Sequence, residues 1–419
     1  MNNRLGFKVL AALGVALAVS VPVVAQVQNV FETPQVLSAA ALLPPQLLKG
    51  SDYQVENKVE NDGTMNNYVI TSSFGTFEAH SNAEAVKRIG EVGAIAKLKK
   101  LEGSDEFGKG IASTAGNVVE GTKALITDPV NTIGGIFRGA GTLLRRTGDS
   151  VFGDPKSKYE DNALQSVAGV SQAKREFAAQ MGVDVYSSNE VLQESLLRVA
   201  RASASGNILA AGALAAVGGG AGTFVSVTGG SQTLNDVLLK TPPVDLRRLN
   251  REKLQKMGVS TDLIDLFLAN VNYSPTYQVL LVDALERMGP VAGKEAMLKI
   301  AISADTDDLC MFRQRQARMF AGYHAKVQPL ERLMLSGNLV LARARDGKII
   351  VTLPVDYVVW TDAIAQRVVN AEAQLKTMAP GAAREVWLGG TISPRARQEL
   401  ESRGWKINER AAENLIGPG

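Results

Sequence analysis

Residues 51–96, SDYQVENKVENDGTMNNYVITSSFGTFEAHSNAEAVKRIGEVGAIA, change hydrophobic period once, and that change sets the fold class. In the first half, Tyr53, Val55 and Val59 fall on one face and Gln54, Glu56, Lys58 and Glu60 on the other, the period of a half-buried strand. Asn61-Asp62-Gly63 supplies residues that tolerate positive φ, and Tyr68-Val69-Ile70 and Gly75-Thr76-Phe77 resume as strands. A small antiparallel meander is expected over about 52–80. Ser81 with Glu84 three residues on then reads as a capping box, and Val86, Ile89, Val92, Ile95 and Ala96 recur at helical spacing.

Before the meander, Arg4 and Lys8 precede an uncharged apolar run from Val9 to Ala25. Pro22 breaks it, and Val23 and Ala25 place small residues where a signal peptidase needs them. Export to the Gram-negative periplasm with cleavage after Ala25 is expected, the alternative being a retained membrane anchor. Residues 26–50, ending in Leu43-Pro44-Pro45-Gln46, read as a linker.

After the first helix, residues 127–147 form an amphipathic segment. Asp128-Pro129 opens it, Val130, Ile133, Phe137, Ala140 and Leu144 make a stripe, and Gly134, Gly135, Gly139 and Gly141 weaken it. Such a helix needs a surface, either this protein's core or an anionic membrane surface. From 156 to 330 the pattern is mostly α-helical, punctuated by Pro242-Pro243, Gly258, Ser274-Pro275 and Gly289-Pro290. Gly206 to Val227 is uncharged, but Gly218-Gly219-Gly220 interrupts it, so a buried helix and loop are expected rather than a membrane span.

Residues 331–419 change character. Leu339–Arg345 and Lys348–Leu353 flank Asp346-Gly347, a hairpin signal. A helix over Thr361–Met378, a strand at Glu385–Leu388, a turn at Gly389-Gly390, a helix opened by Ser393-Pro394 and stopped by Gly404, and a strand at Trp405–Ile407 follow. Trp360, Trp387 and Trp405 all lie here, which suggests a core of its own. The expected fold is mainly α, with a small N-terminal antiparallel β meander and a C-terminal α/β module. Its divisions are a signal peptide (1–25), a linker (26–50), the meander plus amphipathic helices (51–155), a helical domain (156–330) and the α/β module (331–419).

Composition narrows the function classes. Hydrophobic residues make up 45% and charged residues 21%, as in soluble globular proteins. Net charge is only +3, and no basic tract is interleaved with aromatics, so nucleic acid is not an expected partner. Cys310 is the single cysteine, which leaves no intramolecular disulfide and no thiolate cluster. With two histidines, His80 and His324, and no HExxH, neither a metal site nor a cofactor is expected. GSDEFGKG at 103–110 misses the phosphate-loop pattern because Gly110 stands where a hydroxyl residue must bind Mg²⁺. Asp305, Asp307 and Asp308 lack the glycine and glutamate of a calcium loop and read as the capped start of a helix.

Two candidate sites remain. Ser171 and Lys174 match the SxxK spacing of serine acyltransferases, and His324 is the histidine a triad would need, although no GxSxG elbow or partner motif accompanies them. Gly389, Gly390, Ser393, Arg395 and Arg397 combine a close-approach turn, a helix start and two cations, the elements of an anion site, unless Glu399, Glu401 and Glu409 offset the arginines internally.

The runs DYQVENKVENDGTMNNYVITSSFGTFEAHSNA, TDPVNTIGGIFRGAG and GGTISPRARQELESRGW resemble an uncharacterised family of exported proteobacterial proteins. The resemblance implies one coherent exported chain and brings no activity, cofactor or catalytic residue. The expected function is a non-catalytic exported cell-envelope protein that works by interaction, with an envelope protein or an anionic membrane surface as partner. The alternatives are a serine hydrolase acting on the envelope, or a membrane-active protein working through 127–147.

Overall fold

The computed structural model describes residues 31–103, 169–204 and 232–417. It is mainly helical, with an antiparallel sheet at the N-terminal end and a mixed sheet interleaved with helices at the C-terminal end. Among the described residues no helix is long and apolar enough to cross a membrane.

The meander forms where the alternation places it. It comprises β1 (Val36–Ser38), β2 (Tyr53–Val55), β3 (Lys58–Asn61), β4 (Asn66–Ser72) and β5 (Gly75–Ala79). The order is β1-β3-β4-β2, with β5 also pairing β4. The single strand expected from Tyr53 to Glu60 is interrupted at Glu56 and Asn57, yet Val55 and Val59 remain buried with Tyr68 and Ile70. Residues 31–50 depart from the expected linker. They carry β1, paired antiparallel to β3, and two short helices, α1 (Ala39–Leu42) and α2 (Pro45–Leu48), and Ala39 and Leu43 are buried in the meander core.

The long helix α3 (Asn82–Glu102) begins at the capped Ser81, whose hydroxyl accepts the Glu84 amide at 3.0 Å. The reciprocal arm is shifted by one residue: the Glu84 carboxylate accepts the His80 amide at 2.8 Å, not that of Ser81. The helical part continues through α4 (Val170–Met181), α5 (Glu190–Ala204), α6 (Gln232–Lys240), α7 (Pro243–Lys256), α8 (Thr261–Leu268), α9 (Pro275–Arg287), α10 (Glu295–Ile302) and α11 (Asp307–Lys326). Helix α9 lies at its centre against α7 and α11, while α3 packs on α5 and contributes Ile95, Leu98 and Leu101 to the helical core.

The C-terminal sheet contains β6 (Leu330–Ser336), β7 (Leu339–Ala344) and β8 (Ile349–Leu353). A short pair, β9 (Tyr357–Val358) with β11 (Thr391–Ile392), stands beside it. The other elements are α12 (Asp362–Met378), β10 (Arg384–Leu388), α13 (Pro394–Ser402), β12 (Trp405–Asn408) and α14 (Ala411–Leu415). The order is β12-β10-β8-β7-β6, with β10 parallel to both neighbours and the expected hairpin joining β7 to β8. The two faces of this sheet have different fates. One buries Val351, Val386, Trp360 and Trp405 in the core expected for the module. The other turns Leu333, Val340, Ala342 and Ile350 into the helical core, where Trp387 meets Tyr323 edge-on at 5.2 Å. The expected boundary at 330/331 is therefore bridged by shared packing, and that at 155/156 lies outside the described residues.

The N-terminal meander and the C-terminal module are tied together. Asp356 and Tyr357 donate their amides to Thr64 O at 3.0 and 3.1 Å, and Val359 donates to Gly63 O at 2.9 Å. In return the Asp356 carboxylate accepts the amides of Asn66 at 3.1 Å and Asn82, the first residue of α3, at 2.9 Å.

Candidate functional site

Among the described residues, a group of buried ionisable side chains lies on the first three turns of α3. Glu84, Lys87, Arg88 and Glu91 are spaced i, i+3, i+4, i+7, so they share one stripe. That stripe faces inward, leaving Glu84 4%, Lys87 6% and Glu91 0% exposed. Charges at such depth persist only when partners replace water, and the partners come from three other elements.

The first is the loop between α4 and α5. Asp184 accepts Thr276 Oγ1 at 2.6 Å and the Tyr186 amide at 3.0 Å, and its second oxygen lies 3.6 Å from Lys87 Nζ. Ser187 and Asn189 donate to the two oxygens of Glu91, the latter at 3.0 Å, while Asn189 also caps α5 through the Leu192 amide. The second element is α9, where the Tyr277 hydroxyl accepts Lys87 Nζ at 3.0 Å. The third is α11, where Asp307 accepts Ser188 Oγ at 3.1 Å. Arg88 spans the group, reaching Glu91 at 2.9 Å, Glu84 at 3.1 Å and Ser188 Oγ at 2.9 Å.

The electrostatics follow from this wiring. Burial acts to lower the Lys87 pKa, but Tyr277, Asp184, Glu91 and Asp307 more than offset it, and the ammonium is held well above its ordinary range. Glu84 and Glu91 share Arg88 yet move in opposite directions. Burial acts to raise Glu91, but Arg88, Lys87 and the hydrogen bonds from Ser187 and Asn189 overcome it, so its pKa falls. Burial raises Glu84, and the nearby Asp308 adds to it against Arg88. Burial likewise raises Asp307, opposed by Lys87 and Ser188. The carboxylate oxygens of Glu84, Asp307 and Asp308 lie within 4.8 Å of one another, and these three residues could hold a cation. This grouping is not apparent from the sequence, where Asp307 and Asp308 read only as the first turn of a helix. That part is found as expected: Thr306 caps α11 by accepting the Leu309 amide at 3.2 Å.

The residues singled out from the sequence are placed as follows. Ser171 is buried on α4, and its hydroxyl has no hydrogen-bond partner among the described residues, so neither Lys174 nor His324 is bonded to it as an activating base. His324, the histidine a triad would need, sits near the end of α11. Its Nδ1 accepts the Leu330 amide at 3.0 Å, and burial with the charges of Arg345 and Lys294 lowers its pKa, so the ring is a neutral acceptor that ties α11 to β6. His80 is exposed, with Nδ1 2.9 Å from Asn67 Oδ1.

Gly389, Gly390, Ser393, Arg395 and Arg397 do converge on one turn and helix start. The glycines, however, serve a backbone crossing: a Cβ on Gly390 would overlap the Asp356 carbonyl, and one on Gly389 would lie 3.0 Å from Pro354 Cα. Arg395 pairs with Glu399 at 2.7 Å, and Arg397 with Glu401 at 3.4 Å and with Glu409. Ser393 caps α13 through the Ala396 amide at 3.0 Å, and its hydroxyl donates to the carboxylate of Glu32. An external anion at this turn would compete with carboxylates of the chain itself. The amphipathic segment 127–147, the glycine-rich run 206–227 and the signal-like residues 1–25 lie outside the described residues. Set against models of known families, curated proteins and solved structures, the chain matches none of them.

Proposed function

We propose that this chain is a non-catalytic, exported cell-envelope protein that acts by binding another envelope component. The observation that carries the reading is the disposition of the buried charges on α3. Beyond the Arg88 pairs with Glu84 and Glu91 inside the helix, Lys87, Arg88 and Glu91 reach the loop at 184–189 and α9 through an ion pair and hydrogen bonds. Such wiring suits a role in fixing the relative positions of helices. Arg4 and Lys8, followed by the uncharged apolar run from Val9 to Ala25 and its small-residue ending, support export.

The test has two parts. Cells expressing the full chain with a C-terminal tag are fractionated, and the N-terminus of the recovered protein is sequenced. Recovery from the periplasm beginning at Gln26 supports export, and recovery only from the cytoplasm with Met1 retained refutes it. In-cell crosslinking then compares the wild type with Ser171→Ala, Lys174→Ala and His324→Ala. Unchanged crosslinked envelope partners in all three support the interaction reading. Turnover of an envelope ester or amide that disappears in Ser171→Ala would replace it with the hydrolase.

A further inference from the structure

The first described residues form a strap across the surface. From Phe31 to Ser38 no side chain is buried; Phe31 is 40% and Val36 58% exposed. With so little apolar surface removed from water, hydrogen bonds at its two ends hold the segment. At one end β1 pairs with β3. At the other, Glu32 is fastened to the C-terminal module. Its amide donates to Trp360 O at 2.8 Å, and its carboxylate accepts the Trp360 amide at 2.8 Å together with the Ser393 hydroxyl. Pro34 biases Thr33 toward extended backbone, which keeps the strap from coiling back on itself.

The receiving notch belongs to the module. Ser393 and Trp360 are each 2% exposed, so both donors sit on packed residues. The Ser393 oxygen already accepts the Ala396 amide, which leaves its proton for an outside acceptor. The Trp360 backbone meanwhile presents a donor and an acceptor together, the edge an extended peptide needs. Glu409, on the Ile392 amide at 2.9 Å and on Arg397, occupies the adjoining position, so the free specificity of the notch is for one carboxylate on an extended backbone.

We propose that the notch between Trp360 and Ser393 is a docking site for the acidic residue of an extended peptide, filled in cis by Glu32 and open in trans when the strap lifts. This rests on the interaction reading above and gives it a partner chemistry. When the strap lifts, the two donors lose their acceptor at a buried site, and that cost drives recapture of a carboxylate from whichever chain offers one.

The experiment uses full-length chain and a fluorescein-labelled peptide with the sequence of Phe31–Ser38. Glu32→Ala should bind it saturably, about tenfold or more tighter than the wild type does, because the competing carboxylate is gone. Replacing the peptide's glutamate with glutamine, or adding Ser393→Ala to Glu32→Ala, should each cost about tenfold. A folded Glu32→Ala protein, checked by circular dichroism, that binds the peptide no better than the wild type overturns the proposal. If the variant does not fold, hydrogen exchange on the wild type decides. Exchange at the Trp360 amide well ahead of the β8 amides supports a lifting strap, and protection equal to β8 overturns it. Either failure leaves the interaction reading to its own crosslinking test. Concentration-dependent dimers of the wild type that Glu32→Ala does not form would identify a second copy, through its own Glu32, as the donor in trans.

Discussion

Helices α3 and α13 begin alike and diverge within one turn. Each is capped by its own serine, Ser81 or Ser393, and each start receives a carboxylate from the far end of the chain, Asp356 on the Asn82 amide and Glu32 on the Ser393 hydroxyl. Both then carry arginine–glutamate pairs at helical spacing. On α3 the pair is sunk, with Arg88 12% and Glu91 0% exposed; on α13 Arg397 and Glu401 are 36% and 54% exposed. Depth changes what an ion pair does. In water the pair gains little over its hydrated parts, whereas in the interior each half depends on the other. Equal motifs on two helices therefore carry unequal consequences, and the contrast can be broken by substitution.

The largest effect should come from Glu91→Ala. It strips Arg88 of one partner and leaves Ser187 and Asn189 as buried donors without acceptors, for a loss of about 3–5 kcal/mol in urea unfolding. A loss under about 1 kcal/mol would put the α3 stripe in the same class as α13. Lys87→Met keeps the length and removes the charge, leaving Asp184 with neutral donors only. About 2–4 kcal/mol is expected, and a stabilised variant would show that the stripe trades stability for position.

Asp356 sharpens the comparison through pH. Burial raises its carboxyl to about 6, against the hydrogen bonds from Asn66 and Asn82 and the charge of Arg315. The folded protein thus holds a proton that the unfolded chain releases between the ordinary carboxylate pKa and about 6, and stability falls as pH rises through that window. Asp356→Asn should flatten this part of the profile. On the order of 1–3 kcal/mol should separate the two curves' changes between about pH 4 and pH 7, and parallel profiles would refute the assignment. Glu84 and Asp307 slope the same way in both proteins and cancel in the difference. The smallest effect belongs to Arg397→Ala, below about 1 kcal/mol and shrinking further with added salt.

Much of the fold was legible because punctuation and period agreed. Asn61-Asp62-Gly63, Ser81, Asp346-Gly347 and Ser393-Pro394 each mark a boundary at which the chain turns. Strand β6 was not legible, since a register shift between Leu330 and Arg332 breaks its alternation. Nor was β1, whose three residues are too few to show a period and which is defined by its partner β3. The α3 stripe was written plainly at i, i+3, i+4, i+7, but charged residues at that spacing usually face water. Burial is imposed by Asp184, Tyr277 and Asp307, about a hundred or more positions later. At the other site, Gly390 signalled a close approach correctly. The sequence could not say that the approaching group is the chain's own Asp356 carbonyl.

One contact at the C-terminal end governs the order in which the molecule can be completed. Gly322, near the end of α11, has no side chain because the Leu415 carbonyl of α14 fills that space, and Ala411 and Leu415 belong to the same core as Ile95 on α3. A ribosome or translocon delivers residues in sequence, so the hollow beside Gly322 stays open until some ninety further residues have emerged. Throughout that interval a partly built core is exposed to holdases and proteases, and loop closures of this length are slow relative to local helix formation. Clipping the chain before Ala411 would leave the hollow beside Gly322 open and take Ala411 and Leu415 out of the core.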